Sequence, residues 1–230
     1  MKFDFEITED GSHTLYVPAL DEHYHSTHGA LQEARHVYID AALHRCQKPH
    51  VRILEVGFGT GLNAFLTLLE TEKRQQAAHY TSLELYPLSL QDARKLNFAS
   101  LIAPDRNDHF LQLHALPWDR AQAITPAFVL EKRQWDFSKP DSFCFDGLFD
   151  VVYFDAFAPD KQPGVWTQAL FDKIYEACAG GAVITTYCAK GSVRRMLQAA
   201  GFAVERLPGP PGKREMLRGW RRGQGDLREP

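Results

Sequence analysis

From Val51 onward, short apolar runs of strand length alternate with stretches whose apolar positions recur every three or four residues. That alternation predicts βαβ units around a mostly parallel sheet. Val51–Val56 (VRILEV) is the first strand and ends at Gly57, and Leu62–Leu69 continues as a helix. Tyr80–Leu85 predicts a second strand, closed by Pro87, with Leu88–Leu96 helical after it. Phe110–Leu113 reads as the third strand. Asp150–Phe154 (DVVYF) has the strongest strand pattern, and the loop Asp155–Trp166 follows it. A helix over Gln168–Cys178 should stop at Gly180-Gly181, since paired glycines readily supply a left-handed stop. Ala182–Tyr187 is then a strand and Val193–Ala200 a helix, with Phe202–Arg206 and Arg214–Arg218 as closing strands.

Two segments fall outside this rhythm. Residues 1–50 read as an N-terminal extension packing on the core, β-rich at first and then helical from about Ala30 to Arg45. Residues 125–147, with Phe128, Trp135, Phe143 and Phe145 among Lys, Arg and Pro, read as an insertion beside the sheet. The expected architecture is an α/β, Rossmann-like sheet over residues 51–230, mostly parallel with an antiparallel last strand. No linker composition divides the 230 residues, so one structural domain is expected.

Composition changes this picture in only a few places. With 44% hydrophobic and 24% charged residues the chain can bury a real core, which excludes a disordered or fibrous protein. Its apolar runs are far short of the ~20 residues that span a bilayer. The start Met1-Lys-Phe-Asp-Phe-Glu has no basic-then-apolar layout, so no signal peptide is expected. Cys46, Cys144, Cys178 and Cys188 form no CxxC pair and read as reduced thiols, pointing to a cytoplasmic protein. The formal charge of −3 is unevenly spread: Lys190 to Arg222 holds nine basic residues against two acidic ones, a net +7 that leaves −10 elsewhere. Such a basic C-terminal third can hold a polyanion.

The candidate chemistry begins at Glu55-Val-Gly57-Phe-Gly59-Thr-Gly61, between the first strand and its helix. Alternate glycines let the backbone turn tightly and let a ligand approach where a Cβ would block it. Glu84, 23 residues past Gly61, falls at the end of the next strand, where an acid can accept ribose hydroxyls of an adenosine. Strand, GxGxG loop, helix and acid together resemble the class I S-adenosylmethionine-dependent methyltransferases. That resemblance implies cofactor contacts from Glu55, Gly57, Phe58, Gly59, Gly61, Asn63, Glu84, Leu85, Ala115 and Asp155, with Glu55 facing the methionine amine.

The loop Asp155-Ala-Phe-Ala-Pro159-Asp160-Lys-Gln-Pro163-Gly-Val-Trp166-Thr puts a carboxylate at the mouth of the same strand-end crevice. Two prolines and a tryptophan predict a stiff wall, which a group transfer needs to hold donor and acceptor in line. Three strings, FDVVYFDAFAPDKQPGVWTQALF, TYCAKGSVRRMLQAAGF and GKREML, carry a more specific resemblance. They resemble the tRNA methyltransferase family that makes 5-methylaminomethyl-2-thiouridine at the wobble position. LEVGFGTGLN and, more loosely, HGALQEARHVYI extend the likeness over most of residues 10–220.

The family occurs fused to a flavin-dependent oxidase and as stand-alone proteins. A chain ending at Pro230 resembles the stand-alone form, which implies methylation alone and a separate enzyme supplying the aminomethyl substrate. In this reading S-adenosyl-L-methionine is the cofactor and tRNA the partner, and no metal is needed. Asp155 is the catalytic candidate, orienting the substrate amine and ranking lower as a strong base. Trp166, Tyr16 or Phe157 could stack on a flipped uracil, and Lys190, Arg194, Arg195, Lys213 and Arg214 are candidate contacts to the tRNA backbone. His23, His25 and His28 invite a metal reading, but no carboxylate or cysteine completes a ligand spacing beside them.

Two rival readings share much of this pattern. An aminopropyltransferase of the spermidine synthase type has the same fold and a Tyr/His-containing N-terminal segment like DEHYHSTHG, but its polycationic acceptor favours an acidic pocket. The C-terminal +7 and the KREM string argue against it. A non-enzymatic tRNA-binding module with a degenerate nucleotide pocket predicts no cofactor binding.

Overall fold

The computed structural model describes residues 2–137, 139, 144–145 and 147–223. Three antiparallel strands open the chain: β1 (Asp4–Ile7), β2 (His13–Val17) and β3 (Glu22–His23). A single turn of helix, α1 (Ala30–Ala34), then widens into a π-helical turn over Arg35–Asp40 and a 3₁₀ turn over Leu43–Arg45. The helix expected over Ala30–Arg45 is therefore broken. The wider turn closes through a bond from the Ala41 N–H to the His36 carbonyl, five residues back.

The main sheet uses β4 (His50–Val56), β5 (Ala77–Glu84), β6 (Arg120–Thr125), β7 (Phe128–Gln134), β8 (Phe149–Phe154), β9 (Cys178–Thr186), β10 (Ala203–Pro208) and β11 (Glu215–Trp220). Their order is β10-β11-β9-β8-β4-β5-β7-β6. The five central strands from β9 to β7 are parallel, and β11 runs antiparallel between β10 and β9. The sheet is mostly parallel, as the pattern predicts, and the antiparallel last strand is as expected of the resembled fold. Every residue of β8 is buried, as expected for a strand covered on both faces.

Two apolar clusters cover those faces. On one, Val51 and Ile53 pack with α2 (Leu62–Lys73), α5 (Asn107–Ala115) and the N-terminal residues Leu15, Ala34 and Val37. On the other, Leu54 and Val56 pack with α6 (Gln168–Glu176), α7 (Gly191–Ala200) and Trp135. The alternation along β4 sends Glu55 to the first face.

Several expected elements differ. Phe110–Leu113 is not a strand but part of α5: Phe110, Leu113 and His114 are buried at helical spacing. The third parallel strand is β7, whose residues alternate in burial, with β6 as its hairpin partner. Residues 125–134 therefore belong to the sheet and are not an insertion beside it, and Phe143 lies outside the described residues. Gly180-Gly181 sits inside β9, where pairing with β8 shifts register and Gly181 takes φ 81°. The preceding helix ends at Glu176 without it. The helix over Leu88–Leu96 shrinks to α3 (Leu90–Ala93), whose first turn is capped by Ser89 accepting from the Asp92 N–H; α4 (Phe98–Ile102) follows.

Candidate active site

The C-terminal ends of β4, β5 and β8 meet at a cavity of about 370 Å³. The glycine loop forms its floor, with Gly57, Gly59 and Gly61 at φ 98°, 50° and 73°, a region that L side chains rarely adopt. A Cβ at Gly57 would lie 2.3 Å from the Asp155 carbonyl oxygen, so glycine there lets β4 and β8 close together. Glu84, at the end of β5, holds the loop in place. Its Oε2 accepts from the Gly59 N–H at 3.0 Å and its Oε1 from the Leu85 and Tyr86 N–H groups, each at 2.8 Å. Burial pushes the Glu84 carboxyl above its usual range although three backbone N–H groups favour the anion.

Asp155 stands on the opposite side of the floor. Its Oδ2 accepts from the Asn63 amide at 2.8 Å, tying the start of α2 to the end of β8. Burial pushes its carboxyl up to about 7, opposed by the Tyr38 hydroxyl, reinforced by Glu33, and opposed more weakly by Asn63 and Lys213. Glu55 lies beneath, wholly buried, accepting from the Ser82 hydroxyl at 2.5 Å. Burial raises it to about 8, against the Ser82 hydrogen bond and with Asp155 adding to the rise. Two neighbouring carboxyls thus share a buried polar pocket with Tyr38, Tyr80 and Tyr153, at the cost of their charged forms.

The roof comes from elsewhere in the chain. Glu22–His28 crosses the cavity, and the β10–β11 turn brings Gly212 and Lys213 to its edge. His25 donates to or accepts from the Thr60 hydroxyl at 2.6 Å, joining roof to glycine loop, and burial lowers its ring to about 4. Tyr24 packs against Gly59 and edge-on to Phe157, with ring centroids 4.9 Å apart. Lys213 pairs with Glu33 and lies 4.1 Å from the centre of the Tyr187 ring. Below the loop, buried Lys132 donates to the His114 carbonyl at 2.7 Å and lies over the Phe58 and Trp118 rings. Burial lowers this lysine to about 8.

Of the residues expected to hold a cofactor, Gly57, Gly59, Glu84 and Asp155 line the cavity together. Phe58, Gly61, Asn63 and Leu85 belong to the same loop, helix start and strand end behind that lining, and Glu55 lies under it. Ala115 ends α5 and is exposed, outside the cavity lining. The end of the true third strand leads instead to Phe137, which does line the cavity. Trp166 is buried against Phe154 and Phe171 and donates to the Phe157 carbonyl at 2.7 Å, so it stiffens the loop and does not face the cavity. Tyr16 hydrogen-bonds Asp21 away from the cavity, whereas Phe157 lines it.

The basic residues divide. Lys190 pairs with Asp160 on the acidic-proline loop, Arg194 is half-buried, and Arg195 and Arg214 are exposed. Lys213 lines the cavity at its edge. The histidines do not converge: His23 meets Glu6, His25 meets Thr60, and His28 meets Glu9. Tyr38, Tyr24, Glu33 and Tyr187 were not among the expected site residues.

The fold and this strand-end cavity define a class I methyltransferase architecture. Residues 141–222 match a family described as S-adenosyl-L-methionine-dependent methyltransferase. The sequence of this chain is similar to that of the MnmC proteins. It is 34% identical over 233 residues to the "tRNA 5-methylaminomethyl-2-thiouridine biosynthesis bifunctional protein MnmC" of Aromatoleum aromaticum, covering 95% of this chain and 35% of that protein. The protein of the same name from Ectopseudomonas mendocina is 35% identical over 218 residues, covering 85% of this chain and 32% of that one. The chain thus spans about a third of the length of these curated relatives. The crystal structure of MnmC2 from Aquifex aeolicus superposes with a TM-score of 0.81 at 25% identity, covering 96% of this chain and 71% of that chain. Among the described residues no helix is long and apolar enough to cross a membrane.

Proposed function

We propose that this chain N-methylates the aminomethyl group of 5-aminomethyl-(2-thio)uridine at the wobble position of tRNA, with S-adenosyl-L-methionine as donor. The observation that carries the reading is the position of Asp155: a half-buried carboxylate at the cavity floor, beside a glycine loop that an acid, Glu84, holds in place. The loop fits the donor, since its backbone is exposed to the cavity at Gly57 and Gly59 and Glu84 Oε2, which accepts one N–H, keeps an acceptor position for a ribose hydroxyl. When bound, S-adenosylmethionine supplies an electrophilic methyl group on its sulfonium.

An alkylammonium has a pKa of about 10 and no lone pair while protonated, so the site must hold the neutral amine. Asp155, at about 7, is too weak a base to take that proton outright, which favours orientation of the amine over strong base catalysis. Asn63 fixes the carboxylate, and Tyr24 and Phe157 pack edge to face beside it. Arg195 and Arg214, exposed and without an acidic partner among the described residues, are suited to the tRNA backbone, with Lys190 and Arg194 nearer the loop. A separate enzyme would supply the aminomethyl group.

The test is incubation with labelled S-adenosylmethionine and tRNA from cells unable to methylate this position, followed by nucleoside mass spectrometry. Label in 5-methylaminomethyl-(2-thio)uridine supports the reading; tRNA that stays unlabelled while the donor binds overturns it.

A further inference from the structure

We propose that Lys213 is the counter-charge for the carboxylate at the amino-acid end of the donor, and so makes the site select S-adenosylmethionine over its decarboxylated form. The inference rests on the donor reading above. Glu22, Glu33, Glu84 and Asp155 line the cavity, and Lys213 is the one Lys or Arg among its described lining residues. The donor carries a sulfonium, an ammonium and a carboxylate. The two cationic groups find acidic partners in such a cavity, whereas Lys213 is the one Lys or Arg there to meet the carboxylate.

Lys213 is also held as a binding group would be. Glu33, only 8% exposed in its side chain, pairs with the ammonium and is itself fixed by accepting from the Ser26 N–H at 2.8 Å. The Tyr187 ring lies on another side of the ammonium. An ammonium has three donors, and no second protein acceptor is present for it among the described residues. Gly212, at φ 80°, packs so closely on His28 that a Cβ would collide with its ring, which pins the turn carrying Lys213 to the roof. A lysine so enclosed is poorly placed for a phosphate backbone.

Calorimetry with S-adenosylmethionine and with decarboxylated S-adenosylmethionine tests this on the wild-type chain, Lys213→Met, Lys213→Arg and the double variant Glu33→Gln/Lys213→Met. A charge-assisted hydrogen bond predicts a wild-type preference for the carboxylated donor of about 10- to 100-fold. Lys213→Met should lose that preference by weakening only the carboxylated donor, and Lys213→Arg should keep part of it. The double variant should behave as Lys213→Met does, which excludes a stranded Glu33 as the cause. An intact preference in folded Lys213→Met overturns the inference, as does a wild type with no preference. A Lys213→Met variant that changes only the salt dependence of tRNA binding overturns it too, making Lys213 a phosphate contact. A wild type that binds neither donor overturns the donor reading itself.

Discussion

The floor and the roof of the cavity are built in different ways. The floor is three strand ends: the glycine loop after β4, Glu84 at the end of β5, and Asp155 after β8, joined by backbone bonds such as the Asp155 N–H to the Val56 carbonyl at 2.9 Å. The roof is framed apart from those strand ends: β3 pairs with β2, and the Tyr24 and Glu9 N–H groups bond the Leu15 and Thr27 carbonyls. It is assembled from Glu22–His28, Glu33 and the β10–β11 turn, and side chains far apart in sequence join its pieces to one another and to the floor: Lys213 to Glu33 and His25 to Thr60. A parallel sheet fixes its strand ends as a set, so residues there share a crevice by topology alone. A roof held by a few polar contacts can be altered one joint at a time.

The largest expected effect is on the floor. Gly57→Val adds a branched side chain at φ 98° and drives its Cβ into the Asp155 carbonyl. The two penalties together should cost about 2–5 kcal/mol of stability, read as a lowered denaturant midpoint. A midpoint equal to the wild type would mean that the strand ends are not closed together as described. Glu84→Ala leaves the fold intact in this account but frees the Gly59, Leu85 and Tyr86 N–H groups. Donor affinity by calorimetry should fall by about 10- to 100-fold, corresponding to roughly 1–3 kcal/mol for a lost charged acceptor. Unchanged affinity would remove Glu84 from the donor site.

On the roof, His25→Ala should cost about 1 kcal/mol of stability, the worth of one hydrogen bond, and leave floor contacts in place. A loss as large as that of Gly57→Val would make roof and floor one cooperative unit and end the contrast. A further effect is on the pH dependence of stability. With carboxyls raised to about 7 at Asp155 and about 8 at Glu55, the folded chain holds protons that the unfolded chain has released above pH ~4. Stability contributed by those groups therefore falls as pH rises from ~4 through 7 to 8. Asp155→Asn and Glu55→Gln, which cannot ionise, should gain in melting temperature relative to the wild type between pH 5 and pH 8. A gain independent of pH would show that neither carboxyl is perturbed by burial.

The same contrast explains what the sequence makes legible. The glycine loop, Glu84 and Asp155 are readable because a strand pattern ends immediately before each. The central strands follow from periodicity in the same way, whereas the antiparallel direction of β11 is what the methyltransferase resemblance implies. Phe110–Leu113 misleads because four residues with two buried apolar positions fit a strand or a helix turn equally well. Only the burial of His114 one turn on decides it. That one misreading displaces the third strand and turns β7 into an insertion. Trp166 is misread for another reason: a large aromatic in a loop beside the site looks like a stacking platform, yet its indole N–H is spent on the Phe157 carbonyl. Lys213, Glu33 and Tyr38 become neighbours of Asp155 only through tertiary packing, which no local pattern encodes.

The account's central claim is that Asp155 positions the reacting amine, and single-turnover transfer rates of Asp155→Asn and Asp155→Ala test it most directly, with donor and tRNA both saturating. Asn keeps an acceptor oxygen for the Asn63 amide, so it should retain part of the wild-type rate, while Ala should fall by about 10²–10⁴-fold. Raising the pH from 7 to 9 supplies more neutral amine and should partly restore the Asn variant. Equal collapse of both variants would make Asp155 a proton acceptor instead. A near-wild-type rate for Asp155→Ala, with both ligands bound, would contradict the account.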